Sequence, residues 1–168
     1  KSPELYPVKK PTSPFSESVR TVTTGVLLSD SAAKSHVIAV TSARPNEGKT
    51  AIAISMAALN ALGGRKSIVL DFDLRKPEIR DRMRSKADIG IVDYLAHQVP
   101  LSDVIQKDEA SGVDFIVAGR RTANFADVIR SSRLEDLFSE LRQQYDLVVL
   151  DTPPVLAVAD TRLLARLA

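Results

Sequence analysis

The chain has 168 residues, the size of one domain, and its 44% hydrophobic and 26% charged residues are typical of a globular protein. It contains no cysteine, which excludes a disulfide scaffold, a thiol nucleophile and a cysteine-based zinc site. Lysine and arginine number 23 against 21 acidic residues, and this small excess does not favour a nucleic-acid partner. No apolar run approaches the ~20 residues of a membrane-spanning helix, so we expect the chain itself to be soluble.

The first predicted element is a proline-rich arm. Prolines occupy positions 3, 7, 11 and 14, so residues 1–16 are predicted to form an extended linker. Residues 17–168 are predicted to form the folded domain. It opens with an amphipathic helix over residues 17–29, whose apolar residues recur at helical spacing, namely Val19, Val22, Val26 and Leu27.

Short apolar strands then alternate with helices. Strands are predicted at 37–40, 66–71, 114–117 and 147–150, and helices at 49–62, from Ser132 and from Asp160. The helix from Ser132 opens with the spacing of a capping box, because Glu135 follows three positions later. Continuously apolar strands alternating with helices are typical of a parallel sheet covered on both faces. The sequence therefore predicts an α/β fold, a three-layer sandwich around a mostly parallel sheet.

A phosphate-binding motif lies between the first strand and the next helix, in residues 43–50 (ARPNEGKT). A loop followed by a helix directs backbone N–H groups at an anion, Lys49 has the place of the lysine that reaches the phosphates, and Thr50 has a hydroxyl for Mg²⁺. Asn46 can adopt the left-handed conformation that glycine otherwise supplies. A chance Gly-Lys-Thr at a helix start is the alternative. The predicted nucleotide-binding residues are Pro45, Asn46, Glu47, Gly48, Lys49, Thr50 and Ala51.

Three aspartates follow the ends of apolar strands. Asp71 and Asp73 are two positions apart, so on an extended strand they project to the same side, and Asp151 ends the last strand. Each aspartate alone is also common where a strand exits into solvent. Together with the phosphate-binding motif, however, they predict a P-loop NTPase-type fold that binds a nucleotide and Mg²⁺, the metal being held by Thr50, Asp71 and Asp151, partly through water.

Two further motifs carry a resemblance to a family. The run Asp-Phe-Asp-Leu-Arg-Lys-Pro (71–77) and the run Leu-Asp-Thr-Pro-Pro (150–154) resemble those of the bacterial tyrosine kinases, which are similar in fold to MinD/ParA-like P-loop ATPases. The resemblance implies transfer of a phosphoryl group from ATP to tyrosine, with ATP and Mg²⁺ as cofactors. It implies catalytic roles for Lys49, Asp71, Asp73 and Arg75: Asp73 as partner of the tyrosine hydroxyl, and Arg75 steadying phosphate or a catalytic aspartate.

The same resemblance implies partners and a location. Members regulate exopolysaccharide and capsule export at the cytoplasmic face of the bacterial plasma membrane, so we expect a transmembrane activator, in the same or a separate chain, and a tyrosine-rich tail from a neighbouring protomer. The family's helix motif Glu-x-x-Arg-x-x-Arg is reduced here to Glu17 and Arg20, with Thr23 in the third place, which predicts at most weak self-association. We also expect the parent chain to continue beyond residue 168 with a further strand.

Two alternatives to the kinase stay open. Arg44 stands where MinD-like ATPases have a signature lysine, which leaves room for an ATPase switch that modifies no tyrosine. A regulatory module that binds a nucleotide without turnover is the second alternative.

Overall fold

A five-stranded sheet organises the chain in the computed structural model, which describes residues 6–29, 36–120 and 132–156. The strands are β1 (His36–Val40), β2 (Ser67–Asp71), β3 (Gln106–Lys107), β4 (Asp114–Ile116) and β5 (Leu147–Asp151). They lie side by side in the order β1-β5-β2-β4-β3. All neighbours are parallel except β3, which runs antiparallel to β4 at one edge. The predicted strands are therefore confirmed, and the sheet is mostly parallel.

Seven helices are described. They are α1 (Tyr6–Lys9), α2 (Pro14–Ser29), α3 (Lys49–Leu62), α4 (Ile79–Arg82), α5 (Ile91–Leu95), α6 (Leu101–Val104) and α7 (Arg133–Gln144). The bounds predicted for α3 from the sequence agree with the structure, because the Ala-rich run is a strong helix former and Gly63 ends it.

Two hydrophobic cores lie on the two faces of the sheet. On β2, Ile68 and Leu70 point into one core, which α5, α6 and α7 cover, whereas Val69 points into the other, which α3 and α2 cover. The strands at the centre of the sheet, β2 and β5, are buried at every position. This arrangement is the predicted three-layer sandwich. The loops that follow the carboxyl ends of the parallel strands lie along one edge of the sheet, where ligands bind in folds of this type.

The extended conformation predicted for residues 1–16 is wrong where the structure describes them. Residues 6–9 form a helical turn in which Pro7 is buried, and α2 begins at Pro14 rather than at residue 17. Proline is favoured at the first position of a helix, and the Ser13 hydroxyl accepts the backbone N–H of Ser16 as an N-cap does. The Ser-Pro pair was therefore a helix-start signal.

The packed face of α2 also differs from the prediction. Val19 and Thr23 are buried, but Val22 is 58% exposed and Val26 is 37% exposed. The Thr23 side chain is compatible with burial because its hydroxyl donates to the carbonyl oxygen of Val19. The apolar positions of this helix are thus not all on the side that packs against α3.

Two smaller differences concern local structure. The edge strand β3 and the short helices α4 to α6 were not predicted, since each has only two to five residues and lacks a periodic pattern. The side chains of Ser132 and Glu135 form no capping box, because Ser132 already has helical backbone angles and makes no side-chain cap hydrogen bond. The helix predicted from Asp160 lies outside the described residues. None of the helices within the described ranges combines the length and the apolar character needed to cross a membrane.

Candidate active site

The phosphate-binding loop joins β1 to α3 with two residues in the left-handed region. Gly48 has φ of 87° directly before α3, and Asn46 has φ of 65°, as its residue type allowed. The Glu47 carboxylate accepts the backbone N–H of Arg44 at 3.0 Å, which closes the loop on itself. Pro45, Asn46 and Glu47 are exposed, Ala51 is partly buried and Thr50 is buried at the start of the helix. The loop thus presents the amino terminus of a 14-residue helix to solvent.

Two aspartates meet at the carboxyl ends of the central strands. Asp71 of β2 lies directly beside Asp151 of β5 in the parallel register, and both side chains are fully buried. One Asp71 oxygen accepts the backbone N–H of Ile79 at 3.0 Å. Within the described part of the chain, Asp71 Oδ1 and Asp151 Oδ2 are buried without a hydrogen-bond partner. These two oxygens are therefore free to accept a metal ion or its water ligands.

Lys49 connects the loop to the aspartates. Its Nζ lies 2.8 Å from Asp73 Oδ2 and 3.2 Å from Asp151 Oδ1. Asp73 is itself fixed, because its Oδ1 accepts the backbone N–H of Lys76 at 3.1 Å. The cluster thus combines Lys49 from the start of α3, Asp73 from the segment after β2 and Asp151 from the end of β5. The structure brings the predicted Lys49, Asp71, Asp73 and Asp151 together.

The protonation behaviour of the cluster follows from burial and mutual charge. Burial raises the pKa of Asp71 well above its ordinary value, and the neighbouring Asp151 raises it further. Burial also raises the pKa of Asp151, although Lys49 opposes this effect. For Lys49, burial alone would lower the pKa, but Asp151 and Asp73 outweigh it, so its pKa lies above the ordinary value. The lysine is therefore held as a cation between carboxylates.

The residues present fit a hydrated Mg²⁺ ion. Mg²⁺ usually keeps several water ligands and takes one or two carboxylates together with substrate phosphates. The two partnerless oxygens of Asp71 and Asp151 and the Thr50 hydroxyl offer this donor set. The described residues contain no group of three or more His, Asp or Glu side chains able to enclose a metal ion by themselves. The metal roles predicted for these three residues stay predictions.

The segment after β2 supplies a residue that the sequence analysis did not single out. Lys76 follows Arg75 in the chain, and its Nζ donates to Asn46 Oδ1 of the phosphate-binding loop at 2.7 Å. It also lies 3.5 Å from Glu78, which accepts two hydrogen bonds from Arg82. Its position three residues after Asp73 was the available signal. Arg75 is exposed and forms no ion pair within the described residues, Asp73 included.

The Asp-Thr-Pro-Pro segment is tied to the entrance of the phosphate-binding loop. The Thr152 hydroxyl donates to the carbonyl oxygen of Val40, and the Thr41 hydroxyl donates to that of Pro153 at 2.8 Å. The backbone N–H of Val155 donates to the carbonyl oxygen of Ser42. These bonds hold the two loops at a fixed separation on either side of the aspartate cluster.

Two small cavities open at this edge. One, of about 140 Å³, is lined by Gly48, Thr50 and Arg82, and the other, of about 150 Å³, by Asp73, Arg75 and three prolines. Lys49, Asn46 and Glu78 line both. A larger cavity of about 540 Å³ lies at the opposite end of the strands, against Lys66, Ser67 and Asp114, away from every residue with predicted chemistry. We assign the site by the charged cluster rather than by cavity size.

Glu17 and Arg20 lie apart from this cluster, on α2. Their side chains are about half exposed and approach each other to 3.9 Å within the helix. Arg20 also donates to the carbonyl oxygen of Pro11. An intrahelical pair of this kind contributes only about 0.2–0.5 kcal/mol. Self-association through these residues stays a prediction.

The chain is similar to several known proteins. Residues 35–166 match the AAA domain family. The chain is 33% identical over 158 residues to the EpsB protein of Ralstonia solanacearum, covering 94% of this chain and 21% of that protein. It is 31% identical over 159 residues to the tyrosine-protein kinase YwqD of Bacillus subtilis, covering 95% of this chain and 67% of YwqD. The solved kinase domain of the Escherichia coli tyrosine kinase ETK superposes with a TM-score of 0.92 at 29% identity, covering 97% of this chain and 64% of that one.

The fold and the site thus define a P-loop protein in which two aspartates lie side by side at one edge of the sheet. The chain belongs to the AAA domain family and, within it, to the bacterial tyrosine-protein kinases. It spans about a fifth of the length of EpsB.

Proposed function

We propose that the chain is an ATP-dependent protein-tyrosine kinase domain that autophosphorylates tyrosines and regulates exopolysaccharide or capsule biosynthesis and export. The observation that carries the proposal is the contact of Lys49 with both Asp73 and Asp151, at 2.8 and 3.2 Å. These contacts lie beside the phosphate-binding loop, in which Asn46 and Gly48 have left-handed backbone conformations. This cluster combines a cation for phosphate, carboxylates for a metal, and a further carboxylate for a proton. In a protein that only binds a nucleotide, Asp73 would serve only as the ion-pair partner of Lys49.

Each predicted residue then has a role. The backbone N–H groups from Asn46 to Ala51 cradle the phosphates, and Pro45, which has no N–H, lines the entrance of the loop. A helix amino terminus and left-handed loop residues direct N–H groups at an anion. Lys49 neutralises phosphate charge, which requires it to exchange part of its contact with the carboxylates for contact with the nucleotide. Asp71, Asp151 and Thr50 hold Mg²⁺ directly or through water, and the metal supplies charge neutralisation at the phosphates.

Asp73 is the group that handles the proton. A phenol with an unperturbed pKa of about 10 is protonated at neutral pH, so a neighbouring base helps it to react. In the proposed transfer the phenol oxygen forms a bond to the γ-phosphorus, the bond from that phosphorus to the β–γ bridging oxygen breaks, and the phenol proton passes to the Asp73 carboxylate. The products are phosphotyrosine and ADP. Since such reactions depend mainly on positioning and charge, the rigid anchoring of Asp73 by Lys76 supports this role.

The setting of the activity is part of the proposal. We infer that the acceptor is a tyrosine-rich tail of a neighbouring protomer and that a transmembrane partner, in the same or a separate chain, activates the domain. The domain would then work at the cytoplasmic face of the bacterial plasma membrane. The family membership and the short coverage of EpsB support these inferences.

Mass spectrometry of phosphotyrosine tests the proposal. The chain is incubated with Mg·ATP and a copolymer of glutamate and tyrosine, alongside the Asp73→Asn and Lys49→Met variants. We expect phosphotyrosine with the wild type and a large loss with both variants. Hydrolysis of ATP without any phosphotyrosine would favour the ATPase switch, whereas nucleotide binding without any turnover would favour the regulatory module.

A further inference from the structure

The cavity beside the phosphate-binding loop has a second wall, which α4 and the residue before it provide. Gly48, Lys49 and Thr50 line the cavity on the side of the loop, and Glu78 and Arg82 line it from the segment after β2. Its volume is about 140 Å³, whereas pockets that enclose drug-sized ligands have about 300–1,000 Å³. The cavity therefore suits the phosphate groups of a nucleotide rather than the whole molecule.

The helix α4 is anchored to the same sheet edge as the aspartate cluster. The backbone N–H of Ile79 donates at 3.0 Å to Asp71, one of the carboxylates proposed for Mg²⁺, and Ile79 is fully buried. Glu78 directly precedes Ile79, and Arg82 follows one helical turn later, with its backbone N–H donating to the carbonyl oxygen of Glu78. The backbone that holds Asp71 thus also sets the positions of Glu78 and Arg82 beside the phosphate cavity.

Both cations that line this cavity are paired with carboxylates of the chain itself. Lys49 contacts Asp73 and Asp151, and Arg82 donates to Glu78 Oε2 from Nε at 3.0 Å and from Nη2 at 2.7 Å. Burial alone would raise the pKa of Glu78, but the hydrogen bonds and charge of Arg82 outweigh it and lower that pKa. Glu78 is therefore a carboxylate at neutral pH. The Arg82 and Glu78 side chains are 28% and 27% exposed, so solvent reaches the pair.

A phosphate in this cavity meets one favourable and one unfavourable charge. It attracts the guanidinium of Arg82, because the planar fork of N–H donors matches phosphate oxygens as well as it matches a carboxylate. It repels the carboxylate of Glu78, because two negative charges at short range in a partly buried site oppose each other. The pair is therefore arranged for an exchange in which phosphate oxygens replace Glu78 as the acceptors of the Arg82 hydrogen bonds.

We propose that Arg82 binds the phosphates of the nucleotide, and that Glu78 holds its guanidinium until a phosphate replaces the carboxylate. The inference rests on the nucleotide site of the proposed function and adds to it a residue outside the phosphate-binding and aspartate motifs. Arg82 neutralises phosphate charge beside Lys49. Glu78 lowers the affinity for the nucleotide, because it competes with the phosphates for Arg82.

Substitutions of the two partners should have opposite effects on nucleotide binding. Arg82→Gln should raise the Kd of Mg·ADP about tenfold in calorimetry, because it removes charge-assisted hydrogen bonds to phosphate. Glu78→Gln should lower the same Kd about threefold, because it removes the competing charge. Arg82→Lys should lie between Arg82→Gln and the wild type, since lysine keeps the charge without the fork. An ion pair with a purely structural role predicts weaker binding by both Gln variants, and that result, or no change in either, would overturn the proposal.

Two controls locate the effect at the phosphates. Arg80→Gln is the matched variant, because Arg80 lies in the same helix but pairs with Asp88 and lines neither cavity. It should change the Kd of Mg·ADP by no more than about twofold. Inorganic pyrophosphate with Mg²⁺, measured by competition with a fluorescent ADP analogue, should lose affinity for Arg82→Gln by about the same factor as ADP. An unchanged affinity for pyrophosphate would mean that Arg82 acts on another part of the nucleotide, and the proposed phosphate contact would be wrong.

Phosphotyrosine formation separates this inference from the kinase proposal. If the two Gln variants shift the Kd in opposite directions but the wild type forms no phosphotyrosine with Mg·ATP, the kinase proposal fails and the role of Arg82 stands. If the wild type forms phosphotyrosine while both Gln variants weaken the binding of Mg·ADP, the kinase proposal stands and the role of Arg82 is wrong.

Discussion

Replacing Asp71 by asparagine should stabilise the nucleotide-free protein while weakening its site. Asp71 is fully buried, one of its oxygens accepts the N–H of Ile79, and the other has no partner within the described residues. Asparagine keeps the acceptor for Ile79 and removes a carboxylate that lies directly beside Asp151. Burying an unpaired charge is costly, and most single substitutions change stability by about 0.5–3 kcal/mol, so we expect a gain within this range. For a chain of this length each kcal/mol corresponds to a rise in Tm of about 2–4 °C.

The dependence on pH follows from the raised pKa of Asp71. A group whose pKa is raised in the folded state contributes stability that is fully present below its unfolded value, near 3.8, and is lost as the pH rises through the folded value. The difference in Tm between Asp71→Asn and wild type should therefore be small near pH 4 and grow towards neutral pH. Thermal melts followed by circular dichroism across this range measure the difference.

A matched control and a binding experiment complete this test. Asp81→Asn changes an exposed aspartate of α4 in the same way and should leave Tm within about 1 °C of wild type. Calorimetry with ADP in Mg²⁺ should show weaker binding by Asp71→Asn, since it removes a carboxylate proposed to serve the metal. A Tm that falls at neutral pH, or a gain that is equally large at pH 4, would refute the reasoning.

Further expected outcomes concern the site and the scaffold. Lys49→Met should lose most of its affinity for Mg·ADP in calorimetry and lower Tm, because removing one partner of a buried ion pair costs about 3–5 kcal/mol; unchanged ADP binding would contradict the assignment. Asp73→Asn should reduce phosphotransfer by about 10²–10⁴-fold, with a much smaller change in ADP affinity, and full activity would exclude it as the base. Gly25→Ala in α2 meets nothing within 4 Å and should stabilise by about 0.5–1 kcal/mol in urea unfolding. Gly90→Ala would drive a methyl group into the Val117 carbonyl oxygen and should destabilise by about 3 kcal/mol, the upper end of the usual cost of overpacking, in the same assay.

The sequence predicted the parts of the site that depend on strand ends. A buried parallel strand is continuous and apolar, so its last residue is visible in the sequence, and the register of parallel neighbours places Asp71 beside Asp151 without further information. The left-handed conformation of Asn46 and the bounds of α3 could also be predicted, because both depend on residue types close by in the sequence.

Other contacts depend on how loops fold back over the sheet, which local patterns do not encode. The hydrogen bond from Lys76 to Asn46 joins residues 30 positions apart, and that from Thr41 to Pro153 joins residues 112 apart. The exposure of Val22 likewise depends on which side of α2 meets α3, and an apolar residue at helical spacing does not determine that side.

The order of the strands in the sheet has a consequence for the folding kinetics. β5 lies between β1 and β2, yet it is the last of the described strands along the chain, and its pairing partners on β1 are more than 100 residues away. Until β5 has been synthesised, the facing edges of β1 and β2 remain unpaired. Pairings of such long range form slowly and leave apolar strands open to intermolecular association. Asp151 ends this same strand, so its contact with Lys49 can form only when the gap in the sheet closes. Recovery of nucleotide binding on refolding should therefore follow completion of the sheet.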